Sequence, residues 1–137
     1  MAALASIAIL DSAATPVSHT YVPVSNSNDL TIWRENAAAG SLAGQPSVKL
    51  TSKLTPTASG MSRMRFTVDL PAESALGTSD QGYKAIPKVD YICRATVDFI
   101  LPNRSSAAQR KDLRVRLANL LGNAIVIDAI DNVAPPF

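Results

Sequence analysis

The chain has 137 residues, 47% of them hydrophobic, and 13 Lys and Arg set against 11 Asp and Glu give a formal net charge of +2. That is enough for one domain with a core, too apolar for wholesale disorder, and too balanced for total charge to argue nucleic-acid binding by itself. Cys93 is the only cysteine, which excludes an intrachain disulfide and a Cys-based metal site in the monomer.

Residues 5–10 and 16–24 are two β-prone runs joined by Asp11-Ser-Ala-Ala-Thr, a polar connection of hairpin length. Pro16 and Pro23 lack amide donors, which puts the second run at a sheet edge or breaks it. The apolar start has no basic leading segment and meets Asp11 after ten residues, so it reads as a strand and not as an export signal. No run approaches the roughly 18 apolar residues of a membrane span, and production and use in a cytoplasm is the expectation. His19, the only histidine, lies far from any strong carboxylate cluster in the sequence and is expected to be structural.

A turn cluster, Ser25-Asn-Ser-Asn-Asp, precedes the strand Leu30-Thr-Ile-Trp-Arg-Glu, in which Leu30 and Ile32 face away from Trp33. Trp33 has no interleaved aromatic partner, so it reads as a packing anchor and not as a stacking platform. Small residues over 37–46 lead into the stretch around which the chain is organised.

Residues 47–55 and 61–70 both alternate, separated by the turn Pro56-Thr-Ala-Ser-Gly. In the first arm Val48, Leu50 and Leu54 share one side, with Ser52 the polar exception, while Lys49, Thr51, Lys53 and Thr55 share the other. In the second arm Met64, Phe66, Val68 and Leu70 oppose Arg63, Arg65 and Thr67, closing with Asp69. A half-buried antiparallel sheet needs an apolar face, and any polar residues would serve on the other. Here the polar face is mostly basic. It is either an ordinary solvated face or a surface for a polyanion, and charge pattern alone leaves both open.

Residues 71–87 contain Gly77, Gly82, Pro71 and Pro87 and no sustained period; a loop this long in a compact domain is usually functional or mobile. Alternation resumes over 89–101, with Tyr91, Cys93, Ala95, Val97 and Phe99 on one side and Ile92, Arg94, Thr96 and Asp98 on the other. Cys93 is thus expected in the core, and Arg94 and Thr96 extend the basic, hydroxyl-rich surface. Pro102-Asn-Arg stops the strand, Ser106 and Gln109 make a capping box, and Leu113, Leu117, Leu120 and Leu121 form one helical stripe ended by Gly122-Asn123. Arg110, Lys111, Arg114 and Arg116 read as its solvated face. Residues 124–133 fit a strand, by their β-branched run, or a short helix lined by Ile127 and Ile130.

No Gly-rich phosphate loop, zinc spacing or Gly-x-Ser-x-Gly turn is present, and Asp128 with Asp131 is a lone acidic pair of the solvated or capping kind. No catalytic residue, metal site or cofactor is assigned. The chain reads as a binding or assembly protein and not as an enzyme.

In this order of parts the sequence resembles the coat proteins of the small single-stranded RNA bacteriophages. Leu30-Thr-Ile-Trp-Arg-Glu resembles the family's Trp-bearing strand, the hairpin over 49–70 its two central strands, and Pro71 the entry to its long variable loop. Residues 89–102 resemble the strand that leaves the loop, Arg110-Lys-Asp-Leu-Arg-Val-Arg-Leu-Ala-Asn-Leu-Leu the helix that follows, and Pro135-Pro-Phe the family's ending. The likeness covers nearly the whole chain and rests on collinearity.

The resemblance implies one α+β coat protein domain over 1–137: an N-terminal β-hairpin (1–25), an antiparallel β-sheet (28–101) with the long loop 71–87, and two C-terminal α-helices (105–133). It also implies an interlocked homodimer with one continuous sheet, in which the helices of each chain cross onto the other's apolar face. Such dimers would form an icosahedral shell, the virion capsid, assembled in the bacterial host cytoplasm without a membrane. The basic face would then point inward, toward single-stranded genomic RNA. In family members it holds an RNA stem-loop that represses replicase translation. Carried over residue by residue, the RNA-binding positions are Lys49, Thr51, Lys53 and Thr55, then Arg63, Arg65 and Thr67, then Arg94, Thr96 and Asp98. Lys and Arg would neutralise phosphates, and Thr hydroxyls would reach base edges and sugars.

Arg94 stands where well-known relatives have a base-stacking tyrosine, so a different hairpin preference or weak repression is expected, whereas packaging by counterion release is indifferent to sequence. The loop over 72–87 is expected near the shell's symmetry axes, with Gly77 and Gly82 supplying its backbone freedom. Two other classes compete. One is a non-viral dimeric nucleic-acid-binding β-sheet module that uses the same face without a shell. The other is a secreted adhesin-like β protein, against which the missing export signal argues.

Overall fold

The computed structural model describes residues 4–35, 41–74 and 88–134, and its contacts divide the chain into two units. The first, Met1–Leu54 with Ser62–Ile100, carries the body of a sheet; the second, Thr55–Met61 with Leu101–Phe137, carries the central turn and the helices. The expected Gly77 and Gly82, like residues 1–3, 36–40 and 135–137, lie outside the described residues.

Six strands lie side by side in chain order: β1 (Ile7–Leu10), β2 (Ser18–Asn26), β3 (Leu30–Glu35), β4 (Ser47–Lys53), β5 (Met61–Glu73) and β6 (Val89–Pro102). The sheet is antiparallel, as the alternation and short connections require. Opposite residues of paired strands share a side, so Val48 with Val68 and Leu50 with Phe66 lie on one face, and Lys49 with Thr67 and Lys53 with Arg63 on the other. On the apolar face Tyr21, Trp33 and Val48 are buried, with Ile7, Leu50 and Val68 packed against them. Trp33 is the anchor its sequence setting suggested, and its indole Nε1 donates to the Ala5 carbonyl at 2.9 Å, tying the start of the chain to β3.

Pro23 does not place β2 at an edge, for β2 pairs with both β1 and β3. Its missing donor is accommodated by a register shift between Pro23 and Ser25, where the pairing with β3 slips by one residue.

His19 is corrected in its surroundings. Its Nδ1 lies 2.5 Å from Glu35 Oε1 and its Nε2 3.1 Å from Asp11 Oδ2. The register that sets Ile9 beside His19 and Tyr21 beside Glu35 brings together groups that are 8 and 16 residues apart in sequence. Glu35 foremost, and then Asp11, raises the His19 pKa above its ordinary value. Asp11 also accepts the Val17 and Ala13 amides, at 2.9 and 3.1 Å, and these bonds, together with His19, hold its carboxyl below the usual range.

Cys93 is corrected as well: it is exposed, as is Tyr91 on the same side of β6, with 61% of its surface open. Alternation assigns a side to a residue but not a cover, and β6, at the edge of the sheet, has only β5 beside it. The loop also begins later than expected. β5 continues through Pro71 to Glu73, and the Ser74 amide still reaches the Lys88 carbonyl at 2.9 Å, because both strands are long enough to go on pairing.

In the second unit α1 (Ala107–Leu121) starts at the expected capping box, in which Ser106 accepts from the Gln109 amide and Gln109 accepts from the Ser106 amide. The ambiguous segment is helical, as α2 (Ala124–Asp131), because the Asn123 side chain caps it by accepting the Ile125 amide at 3.0 Å. Neither helix has a buried residue, and Leu113, Leu120, Leu121, Ile125, Ile127 and Ile130 are all exposed. The turn before β5 is held by Asn103, whose side-chain amide donates to the Thr55 and Thr57 carbonyls at 2.6 and 2.7 Å. Gly60 is required there, since a Cβ would come within 2.5 Å of the Thr55 methyl.

Candidate nucleic-acid interface

Nine of the ten expected positions fall on three adjacent strands. Lys49, Thr51 and Lys53 on β4 lie opposite Thr67, Arg65 and Arg63 on β5. The ion pairs Arg94–Asp69 and Arg65–Asp98 bring β6 residues onto the same side, and Thr96 follows by alternation. Thr55 is the exception. It lies beyond the end of β4, in the turn unit, where its hydroxyl donates to the Met61 carbonyl at 2.8 Å.

The cations are arranged around two carboxylates. Asp69 is buried, and it receives Lys49 Nζ at 2.8 Å and Arg94 Nε at 2.5 Å. The Arg94 bond foremost, with Lys49 also contributing, holds the Asp69 carboxyl below its usual range although burial acts in the other direction. Asp98 receives Arg65 at 2.8 Å, with Arg63 at 3.7 Å. Asp98 thus fixes two arginines in place and is not itself a group that attracts a polyanion. Lys53 has no carboxylate partner among the described residues, which leaves its ammonium available. Lys49, Lys53, Arg63, Arg65 and Arg94 thus gather around Asp69 and Asp98 with a surplus of positive charge, Glu73 and Asp90 lying toward the far ends of β5 and β6 on the same side. The hydroxyls among the expected strand positions are Thr51, Thr67 and Thr96.

Sequence reasoning missed Arg34. It lies opposite Ser47, on the cationic side of β3, and its Nε is buried with no hydrogen-bond partner among the described residues. The signal was present, because Arg34 has the parity of Leu30 and Ile32, which were placed opposite Trp33.

A meander sheet with one apolar and one cationic face, followed by helices whose apolar side chains lie open, has the build of an assembly subunit. The family model described as Levivirus coat protein matches residues 2–137, and the chain belongs to that family. Its role is therefore structural, as a capsid protein. Among solved structures it is similar to the virus-like particle of bacteriophage ESE058, at 28% identity and a TM-score of 0.86 over 97% of this chain and 98% of that one. The virus-like particle of bacteriophage NT-214 follows at 25% identity and a TM-score of 0.84, over 99% and 100% of the two chains. The capsid protein of bacteriophage GA, at 22% identity and a TM-score of 0.74 over 98% and 97%, shares the fold. No curated protein matches the sequence.

Proposed function

We propose that this coat protein pairs into dimers, that the dimers close into an icosahedral shell, and that the cationic sheet face lines the interior and holds single-stranded genomic RNA. The observation that carries the RNA reading is the projection of Lys49, Lys53, Arg63, Arg65 and Arg94 from three adjacent strands on one side. Lys and Arg so placed neutralise phosphates and release counterions, which serves packaging of any sequence. Pairing is supported by the 14-residue edge strand β6 and by helices without a buried residue, both of which a second copy would complete. The family likeness supports assembly in the bacterial cytoplasm and gives the same face a finer role, docking of a replicase-repressing RNA hairpin. There Arg94 replaces an aromatic platform and is held by Asp69, so the hairpin preference differs from that of tyrosine-bearing relatives.

The test is the double variant Lys53→Ala with Arg65→Ala, expressed in bacteria and recovered as particles. The expected outcome is particles of normal size with less RNA per particle, read from absorbance at 260 and 280 nm. Unchanged nucleic-acid content contradicts the inner-face reading.

A further inference from the structure

Beside β3 the cationic face opens into a cavity of about 190 Å³ whose lining includes Arg34, Ser47, Lys49, Asp69, Ile92 and Arg94. Three of these side chains are cations and one is a carboxylate. Asp69 is already engaged, with Oδ1 on Arg94 Nε and Oδ2 shared by Lys49 at 2.8 Å and the second Arg94 nitrogen at 3.3 Å. Arg34 is the cation left over. Its Nε is buried and has no acceptor, and Arg34 makes no ion pair among the described residues. A buried charged donor without an acceptor is a costly arrangement that an incoming anion relieves.

We infer that this cavity seats one phosphodiester group of the packaged RNA, with Arg34 as its principal ligand and Lys49 and Arg94 beside it. The inference rests on the reading of this face as RNA-binding and adds a residue and a ligand group to it. The chemistry selects a phosphate over a base edge, because three cations against one carboxylate leave a positive surplus that a neutral base would not compensate. A guanidinium also presents its two terminal nitrogens as a planar fork that matches two phosphate oxygens. Asp69 restrains the two neighbouring cations in the free protein and makes the seat selective, since any anion entering must compete with a carboxylate already in place.

The test compares Arg34→Gln and Lys53→Ala with the unsubstituted, unassembled protein, measuring affinity for a labelled single-stranded RNA of mixed sequence across a salt series. Arg34→Gln is expected to weaken binding to unrelated RNA sequences alike and to reduce the steepness of log affinity against log salt by about 0.7, one phosphate contact on a single strand. If Lys53→Ala weakens binding and Arg34→Gln does not, the inference is overturned while the RNA-binding face stands; if neither does, both fall. Should Arg34→Gln not fold, the Arg34 Nε–H resonance of the unsubstituted protein, assigned with Arg34→Lys, decides. A shift on adding the RNA supports the seat, and no shift overturns it. A shift with inorganic phosphate but not with the RNA assigns the cavity to a free anion and also overturns the inference.

Discussion

The two ends of the chain solve the problem of apolar surface differently. Around β1–β4, Tyr21, Trp33 and Val48 are buried within one chain, with Ile7, Leu50 and Val68 packed against them. At the other end, Tyr91 and Cys93 on β6 and Ile125, Ile127 and Ile130 on α2 are exposed, and no helix residue is buried. The first region is stable by its own packing, whereas the second has the composition of an interior and the exposure of a surface. On the function proposed above, that difference separates what folds from what assembles.

The comparison breaks most severely at Trp33. Trp33→Ala removes the buried ring and the indole bond to Ala5, and is expected to cost about 3–5 kcal/mol, the usual loss for a large buried aromatic. Denaturant unfolding measures it, and a loss within about 0.5 kcal/mol, as for an ordinary surface change, contradicts a closed core on this side.

Ile127→Asp with Ile130→Asp probes the open end. Both side chains are already exposed in the single chain, so the fold should survive while association weakens by about thirty-fold or more, as for loss of central apolar anchors. Sedimentation measures the association and circular dichroism the fold. Unfolding with no separate loss of association would show that these residues belong to the chain's own core.

The same division explains what was legible in the sequence. Period-2 alternation marked β4, β5 and β6 and put nine of the ten expected positions on one side of the sheet, because an antiparallel pleat makes parity in sequence into a side, while β1 and β2 were legible only as β-prone runs. Parity carries no information about cover, so Cys93 was expected in a core that its own chain does not supply. It ends where the strand ends, and Thr55, two residues past Lys53, therefore serves the turn. Arg34 shared the parity of its neighbours but was overlooked beside Trp33. Contacts across strands, such as Asp11–His19–Glu35, depend on register, which one strand's sequence does not state. The last helix was ambiguous because β-branched residues favour strands, and the Asn123 cap decided it locally.

The smallest expected effect sharpens the closed side. The folded His19 pKa is raised, so its contribution to stability is complete below its ordinary value of 6.5 and is lost as pH rises through the folded value. The Asp11 pKa is lowered, so its contribution is complete above 3.8 and is lost as pH falls through its folded value. The contributions of Asp11 and His19 are therefore both complete only between their ordinary values of 3.8 and 6.5. Thermal melts across pH should show stability declining on the alkaline side, and His19→Gln should flatten that decline. An alkaline limb unchanged by the substitution places its cause elsewhere.

The most direct measurement is size-exclusion chromatography of the protein expressed alone in bacteria, with absorbance followed at 260 and 280 nm and nuclease added before the run. The account predicts very large particles, rich in 260 nm absorbance, whose RNA resists the nuclease. Elution only as a small dimer, under conditions that leave shells intact, contradicts it and favours a free nucleic-acid-binding module.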